Sequence, residues 1–260
     1  MSIQSVKRAL EILSLFSSEQ PRMGVTEISR AMGLPKPTAH GLIQTMMDLG
    51  FLSRDPETRK YALGRKLYEL GSVFTSNIRI NQVGSMSAQQ LAAKTGMTAS
   101  LSIWDNGSVV MTFRGVSNYP NVQPQQFVSR FPAYCSSQGK AILSALSEDQ
   151  LNRYLNTTPL IAFSPNTITD PKRLREELNQ ARDKGFAVDR EEFIIGVSCM
   201  GAAVLDHTGS PVGAISISGK GELLFGDQMN RLASDLIQTA MEISYKMGYL
   251  PGIQIRAYAL

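Results

Sequence analysis

The sequence has few of the residues from which metal sites and disulfide frameworks are built. Its 260 residues include two cysteines, Cys135 and Cys199, and two histidines, His40 and His207. The cysteines have no CxxC spacing, which argues against a zinc site, and they are too few for a disulfide framework. Because so few histidines are available as further ligands, we expect neither a metal nor a cofactor.

Long apolar runs are also missing. No apolar stretch approaches the roughly 20 residues that a membrane-spanning helix needs. The first residues, MSIQSVKRALEILSLF, have helical periodicity but no signal-peptide cleavage pattern. Hydrophobic content of 43% and charged content of 18% are typical of a soluble globular protein. We therefore expect a cytoplasmic protein without membrane contact, built from one large or two ordinary domains.

Common catalytic and nucleotide-binding signatures are absent: there is no GxSxG elbow, phosphate loop, Rossmann fingerprint or HExxH. A nucleophilic Cys199 would need a nearby base and a lowered pKa. His207 lies in the turn of a predicted hairpin, and His40 lies in another predicted domain. A hydrolase that uses Cys199 is an alternative without positive support, so we expect a protein that is not an enzyme.

The stretch VTEISRAMGLPKPTAHGLIQTMMDL, residues 25–49, predicts two helices joined by a tight turn. Gly33 can end the first helix, and Pro35 and Pro37 suit the first turn of the second. The predicted buried face of the second helix contains Leu42, Ile43, Met46, Met47 and Leu49. Its opposite face is polar with almost no carboxylate, which suits a helix in a DNA major groove. An ordinary helical hairpin is the alternative.

The next segment, FLSRDPETRKYALG, predicts a two-stranded hairpin with a charged turn. A helix pair followed by such a hairpin is a winged helix-turn-helix. The basic excess lies mainly here, since residues 1–71 hold ten Lys and Arg against seven Asp and Glu. We predict base contacts from Lys36, Thr38, His40 and Gln44, and phosphate contacts from Arg22, Arg54, Arg59 and Lys60. A small-molecule sensor whose N-terminal domain only dimerises is the alternative.

Helices are predicted on both sides of this module. The first helix, from about Ser2 to Ser17, has one apolar stripe for the core, formed by Val6, Leu10, Leu13 and Phe16. Ile3, Ile12 and Leu15 are left for a second contact, such as a partner subunit. Another helix is predicted over 64–76, followed by a helical connector over 77–96 with an interruption near Gly84. The predicted domains are therefore 1–76, the connector 77–96, and 97–260.

The rest of the chain is predicted to be α+β, with a mostly antiparallel sheet and helices packed on it. Alternating residues flank an Asn106-Gly107 turn, an irregular stretch covers 117–131, and three more β-like runs follow residue 185. Helices are predicted over 136–146, 147–155, 169–185 and 226–247.

Two hydroxyls are predicted to share one face of this sheet. Ser216 and Ser218 are two residues apart on a strand, and Cys199 lies on a neighbouring strand. Together they would form a small polar cup with apolar walls that could bind a carboxylate or keto group. The alternative is that these are ordinary strand serines beside a small buried cysteine.

These segments, in this order, resemble the IclR family of bacterial transcriptional regulators. The matching segments are SVKRALEILSLF, VTEISRAMGLPKPTAHGLIQTM, GFLSRDPETRKYALG, FPAYCSSQGKAIL, GFAVDREEFIIGVSCMGAAVLDHTGSPVGAISISG and the last amphipathic helix. The resemblance implies a winged helix-turn-helix, a connector helix, and a C-terminal effector-binding domain with a GAF/PAS-like fold. It also implies a homodimer or dimer of dimers on palindromic operator DNA. The implied effector pocket contains Ser137, Gln138, Asp189, Cys199, Ser216 and Ser218.

Two positions depart from the family pattern. Gly41 stands where the recognition helix commonly has an arginine, so one expected DNA contact is missing. Tyr134 stands where many members have a histidine, and we expect this change to alter the shape and hydrogen bonding of the pocket. Our hypothesis is a ligand-responsive regulator, in which a small organic acid, aliphatic or aromatic, modulates operator binding.

Overall fold

The structure is a computed structural model that describes residues 3–116 and 129–251. The chain forms two compact units, Met1–Thr75 and Ser76–Leu260. Most of the irregular stretch predicted at 117–131 lies outside the described residues. No helix within the described ranges is long and apolar enough to cross a membrane.

The N-terminal unit is a winged helix-turn-helix, as predicted. Its elements are α1 (Gln4–Leu13), α2 (Val25–Ala31), α3 (Lys36–Asp48), β1 (Leu52–Arg54), β2 (Tyr61–Leu63) and the start of α4 (Arg65–Asn77). Strands β1 and β2 pair in antiparallel fashion, and Met23 forms a bridge to Tyr61. The core of this unit joins Ile12, Ile28 and Ile43 from its first three helices.

The buried side of α1 differs from the prediction. Ile12 is fully buried against α2 and α3, whereas Val6 and Leu10 are 53% and 60% exposed. Two apolar stripes lie on this helix, and periodicity alone does not say which one packs inward. The helix also ends at Leu13, so Phe16 lies beyond it.

Leu49 was also wrongly predicted to be buried. It follows the last residue of α3 as the C-cap, and it is 62% exposed. Ala39, which has the small side chain that close helix packing needs, takes part in the buried face with Ile43 and Met46.

The C-terminal unit is built on one six-stranded antiparallel sheet. Its helices are α5 (Arg79–Thr95), α6 (Ser137–Ala145), α7 (Glu148–Thr157), α8 (Pro171–Lys184), α9 (Gly221–Leu224) and α10 (Met229–Lys246). Its strands are β3 (Thr98–Asp105), β4 (Ser108–Gly115), β5 (Arg130–Pro132), β6 (Ala187–Arg190), β7 (Ser198–Leu205) and β8 (Pro211–Gly219). The strand order is β5-β4-β3-β8-β7-β6. The predicted α+β fold is thereby confirmed.

Alternation along the strands sends side chains to two different layers. Leu101 of β3 and Ile215 and Ile217 of β8 belong to the core shared with α5 and α10. Ala214 of β8 belongs to the opposite core, which includes α6, α7 and α8. The residues that alternate with the apolar ones therefore face the start of α6.

The interruption predicted near Gly84 is wrong, because α5 runs without a break from Arg79 to Thr95. The chain instead breaks at Ile78, which has extended backbone angles. A Cβ atom at Gly84 would lie 3.2 Å from side-chain atoms of Ile243 and Leu101. Glycine at this position therefore lets α5 approach α10 and β3 closely.

Gly201 of β7 allows a second close approach, which positions the start of α6. A Cβ at this residue would lie 2.6 Å from the backbone carbon of Ser137 and 2.8 Å from the amide nitrogen of Gln138. We expect Gly201→Ala to lower the free energy of unfolding by about 1–3 kcal/mol, because backbone must move to accept the methyl group. Urea unfolding of the full chain measures this.

Gly41→Ala is the matched control for this prediction. Gly41 is exposed on α3, and an added Cβ would meet no atom within 4 Å. Alanine there should leave stability unchanged or raise it by up to about 1 kcal/mol, because glycine is a poor helix former. An equal loss of stability in both variants would contradict the packing role of Gly201.

Candidate ligand pocket and DNA-binding face

A cavity of about 80 Å³ lies in the C-terminal unit, between the sheet and the first turn of α6. Its walls contain Thr98, Ser100, Met111, Arg114, Phe131, Ser136, Ser137, Gln138, Asp189, Phe193, Ile194, Val197, Cys199, Ser216 and Ser218. All six residues that the family resemblance implied are among them. The structure thus brings these six together, and their contact with a ligand stays a prediction.

The side chains of the sheet wall come from two rows of paired residues that run across neighbouring strands. In the first row, Thr98, Ser218, Cys199 and Asp189 are successive partners on β3, β8, β7 and β6. In the second row, Arg114, Ser100, Ser216 and Gly201 are successive partners on β4, β3, β8 and β7. The hydroxyl of Ser218 lies 3.1 Å from the Cys199 sulfur.

The first turn of α6 forms the wall opposite the sheet. Ser136 caps this helix, since its hydroxyl accepts a hydrogen bond from the Gly139 N–H and donates to the Pro132 carbonyl. The amide nitrogen of the Gln138 side chain donates to the Ser100 carbonyl at 2.9 Å, which ties the helix start to β3. The positive end of the helix dipole therefore lies at the cavity, where it favours a negatively charged group.

Asp189 is the acidic side chain in the cavity wall, and it is 5% exposed. Its Oδ1 accepts a hydrogen bond from the Glu192 N–H at 2.7 Å. Burial raises the pKa of Asp189 to about 7. This carboxyl group therefore changes its charge in the neutral pH range.

Cys199 does not have the properties of a nucleophile. Burial, together with the Asp189 carboxyl, raises the pKa of Cys199 to about 12. The thiol is therefore neutral at neutral pH, whereas a nucleophilic cysteine needs a lowered pKa. His207 lies in the turn between β7 and β8, as predicted, and does not line the cavity.

Several cavity residues were missed by the sequence analysis. Thr98 and Ser100 alternate on β3, and this period-two pattern could have indicated them. Arg114 follows a bulge, because Leu101 pairs with Phe113 while Ser102 pairs with Met111, so that Thr112 is the extra residue. Bulges change which face a side chain reaches, so alternation along β4 could not have found Arg114.

Tyr134 lies behind the cavity wall, so its effect on the shape and hydrogen bonding of the pocket stays a prediction. It is buried beside α6 but is not among the cavity-lining residues. Its hydroxyl donates to the Ile161 carbonyl at 2.7 Å and accepts from the Ile161 N–H at 2.9 Å. These two bonds hold the tyrosine ring in the core that α6 shares with α7 and α8.

The predicted base-reading residues all lie on the exposed part of α3. Lys36, Thr38, His40 and Gln44 are exposed, while Ala39, Ile43 and Met46 face the core. The Gln44 side chain donates to Asp48 at 2.8 Å, so one carboxylate lies near this surface. The arrangement leaves the polar surface of α3 open to a duplex.

The predicted phosphate-binding residues are exposed, but most have contacts within the N-terminal unit. Arg22 forms an ion pair with Asp55 at 2.5 Å, and Lys60 forms one with Glu27 at 3.8 Å. Arg54 lies over the Tyr61 ring and donates to the Arg59 carbonyl. These contacts order the β1-β2 hairpin and hold its cations at the surface.

Asp55 organises the hairpin turn. Its Oδ1 accepts hydrogen bonds from the N–H groups of Glu57 and Thr58. The hydrogen bond from Thr58, with further contributions from Glu57 and the Arg22 charge, holds the pKa of Asp55 below its usual value.

No group of three or more His, Cys, Asp or Glu within the described residues could hold a metal ion.

Comparison with known proteins identifies both units. Residues 73–245 match the family model described as "Bacterial transcriptional regulator IclR C-terminal", and residues 5–56 match "IclR helix-turn-helix domain". The chain is 32% identical over 247 residues to the HTH-type transcriptional regulator XynR of Escherichia coli K12, covering 95% of this chain and 98% of that protein.

Solved structures agree with this match. The Thermotoga maritima IclR structure has a TM-score of 0.78 and 30% identity, covering 95% of this chain and 100% of that one. An IclR homologue from Microbacterium hydrocarbonoxydans, complexed with 4-hydroxybenzoate, has a TM-score of 0.79 and 22% identity, covering 94% and 98%. The relatives are transcriptional regulators rather than enzymes, as predicted. The chain therefore belongs to the IclR family of bacterial transcriptional regulators, with the helix-turn-helix domain and the C-terminal domain of that family.

Proposed function

We propose that a small organic acid binds in the cavity of the C-terminal unit and modulates operator binding by α3. The observation that carries this proposal is the cavity itself, in which polar rows of the sheet meet the positive end of α6. Predicted domain limits of 1–76, 77–96 and 97–260 are part of the same proposal. The connector would transmit the effect of the ligand, since most of it is the unbroken helix α5 (Arg79–Thr95).

The chemistry of the walls supports a carboxylate with a small apolar body. The hydroxyls of Ser137, Ser216 and Ser218 can donate hydrogen bonds, and the α6 dipole favours an anion. Arg114 adds a cation to the wall. Met111, Phe131, Phe193, Ile194 and Val197 supply apolar walls. The Microbacterium relative carries an aromatic hydroxy acid, which makes 4-hydroxybenzoate a useful probe alongside benzoate and acetate.

We propose that the N-terminal unit contacts bases and phosphates with different residues, as winged helices usually do. Lys36, Thr38, His40 and Gln44 would read base edges, and Arg22, Arg54, Arg59 and Lys60 would contact phosphates. The surface of α3 supports this role, because its polar side chains are exposed and its apolar ones are in the core.

The regulator is further proposed to be a homodimer, or a dimer of dimers, on palindromic operators. Ile3, Val6 and Leu10 lie exposed on one side of α1, and Leu70 and Phe74 lie exposed on one side of α4. Monomeric proteins seldom expose a row of large apolar side chains to solvent. We therefore propose that these residues contact a second copy of the chain.

Base and phosphate contacts should respond differently to substitution. We expect Arg59→Ala to weaken binding to all sequences similarly and to reduce the slope of log K against log salt by about 1. Gln44→Ala should instead lose about 1–3 kcal/mol only on the correct operator. Fluorescence anisotropy with promoter DNA beside the regulator's own gene, over a range of salt, measures both.

Lys172→Ala is the control for this experiment, because Lys172 is exposed on α8 in the ligand-binding unit. Its binding curves should match those of the wild type. If the wild type binds DNA without any dependence on salt, or does not bind at all, the sensor without direct DNA contact becomes the better description.

An acidic residue on the exposed stripe of α1 should separate the subunits. We expect Leu10→Glu to raise the dimer dissociation constant about tenfold or more, because it places charge in an apolar contact. Gln4→Glu adds the same charge to another side of this helix and should not change assembly. Analytical ultracentrifugation measures the dissociation constant, and identical values for the two variants would exclude this surface.

Acid and operator should influence each other's affinity. A ligand that weakens operator binding must itself bind less tightly when operator is present, by the same factor. Calorimetric titration of the full chain with acetate, benzoate and 4-hydroxybenzoate, with and without promoter DNA, measures this factor. Equal acid affinities in both titrations would rule out regulation through DNA affinity.

A further inference from the structure

A group of buried charges lies directly behind the cavity wall. Lys140 of α6 is fully buried, and its Nζ is 2.6 Å from Oε1 of Glu192 and 3.5 Å from Oε1 of Glu177. The backbone N–H of Glu192 donates to Asp189, whose side chain reaches the cavity. A continuous set of contacts thus connects the buried cation to the ligand site.

The charges in this group do not balance if every carboxyl group is ionised. Asp189 and Glu192 are both almost completely buried, whereas Glu177 lies towards the outside and is 27% exposed. Lys140 pairs with Glu192, and within the described residues no ion pair reaches Asp189. A buried carboxylate without its own counter-ion is costly, so it tends to keep a proton.

Several titratable residues surround the Asp189 carboxyl group. Cys199 is its pairing partner on β7, Lys140 and Glu192 lie behind it, and Cys135 precedes α6. Burial is the main reason that its pKa rises to about 7; the Glu192 charge adds to this, and the Lys140 charge opposes it. Among the described residues of the cavity wall, Arg114 is the other charged one.

We propose that the cavity takes up an organic acid anion together with one proton, which Asp189 holds, and that the Lys140–Glu192 pair sets the pH at which this occurs. This inference rests on the acid-binding role proposed above. The proton comes from solvent and stays on the Asp189 carboxyl group, which then donates a hydrogen bond to the ligand instead of repelling it. No covalent bond to the ligand forms or breaks.

The proposal fixes how affinity depends on pH. At low pH Asp189 already holds its proton, so the acid anion binds without any release or uptake of protons. Above neutral pH each bound anion must bring one proton, and affinity should fall about tenfold for each further pH unit. A pocket of this kind responds to the acid and to the internal pH at once.

Calorimetry in buffers that differ in ionisation enthalpy counts the protons taken up. The full chain would be titrated with acetate, benzoate and 4-hydroxybenzoate at about pH 6 and at about pH 8.5, on either side of the Asp189 pKa. We expect almost no uptake at the lower pH and nearly one proton at the higher pH. Asp189→Asn, whose amide can still donate a hydrogen bond, should bind with no proton uptake and little pH dependence.

The unliganded protein offers a second measurement. Because the pKa of Asp189 is raised in the folded state, its contribution to stability is present at low pH and is lost as pH rises through about 7. The stability of the wild type should therefore fall between about pH 4 and about pH 7, relative to that of Asp189→Asn. Urea unfolding of both proteins across this pH range measures the difference.

Removing one charge at a time tests the part played by the buried pair. Lys140→Met removes a cation that lowers the pKa of Asp189, so the midpoint of the pH dependence of acid affinity should move to higher pH. Glu192→Gln removes an anion, so the midpoint should move down. A purely structural role would change affinity or stability without moving the midpoints in opposite directions. Because an unpaired buried charge can prevent folding, the double variant K140M/E192Q removes both charges and should give a midpoint between the two.

The outcomes separate this inference from the function on which it rests. If the wild type binds an acid with no proton uptake at the higher pH, or if Asp189→Asn takes up the same number, the proton step is overturned. Midpoints that do not move in the Lys140 and Glu192 variants overturn the role of the pair. If none of the three acids binds the wild type, the acid-binding role itself fails, and this inference fails with it.

Discussion

Alternation of side chains along β8 is the constraint on which both the core and the cavity depend. Ile215 and Ile217 face α5 and α10, and the residues between and beside them, Ser216 and Ser218, face the cavity. A shift of one residue would place the isoleucines in the cavity and the serines in the core. The register of this strand is therefore held by hydrophobic burial, and the cavity lies on the opposite face.

The opposite wall of the cavity depends on how closely α6 can approach the sheet. Gly201 leaves room for the backbone of Ser137 and Gln138, and the Gln138 side chain completes the contact with the Ser100 carbonyl. The buried Gln138 amide and Ser100 carbonyl are thus partners of each other, which gives the helix start one defined position. A helix terminus held in this way can present its dipole to a ligand without prior rearrangement.

Both units have ion pairs at their surfaces, but the C-terminal unit also has a buried one. In the N-terminal unit, cations such as Arg22 pair with carboxylates at the surface, where water screens them and each pair contributes little. In the C-terminal unit, Lys140 and Glu192 are buried, and their removal from water makes the nearby Asp189 sensitive to every remaining charge. Surface charge suits DNA binding, whereas buried charge suits a response to a small ligand.

Local pattern alone determined the turn between α2 and α3, the hairpin at Asn106-Gly107, and the face shared by Ser216 and Ser218, because each depends on neighbours close in sequence. The family resemblance added Ser137, Gln138 and Asp189. Only the tertiary structure decided that Ile12 rather than Val6 enters the core, and that a bulge in β4 turns Arg114 into the cavity. It also decided that Lys140 lies buried beside Glu192, 52 residues away. These outcomes depend on which surfaces meet, and the spacing of residues along one segment does not contain that information.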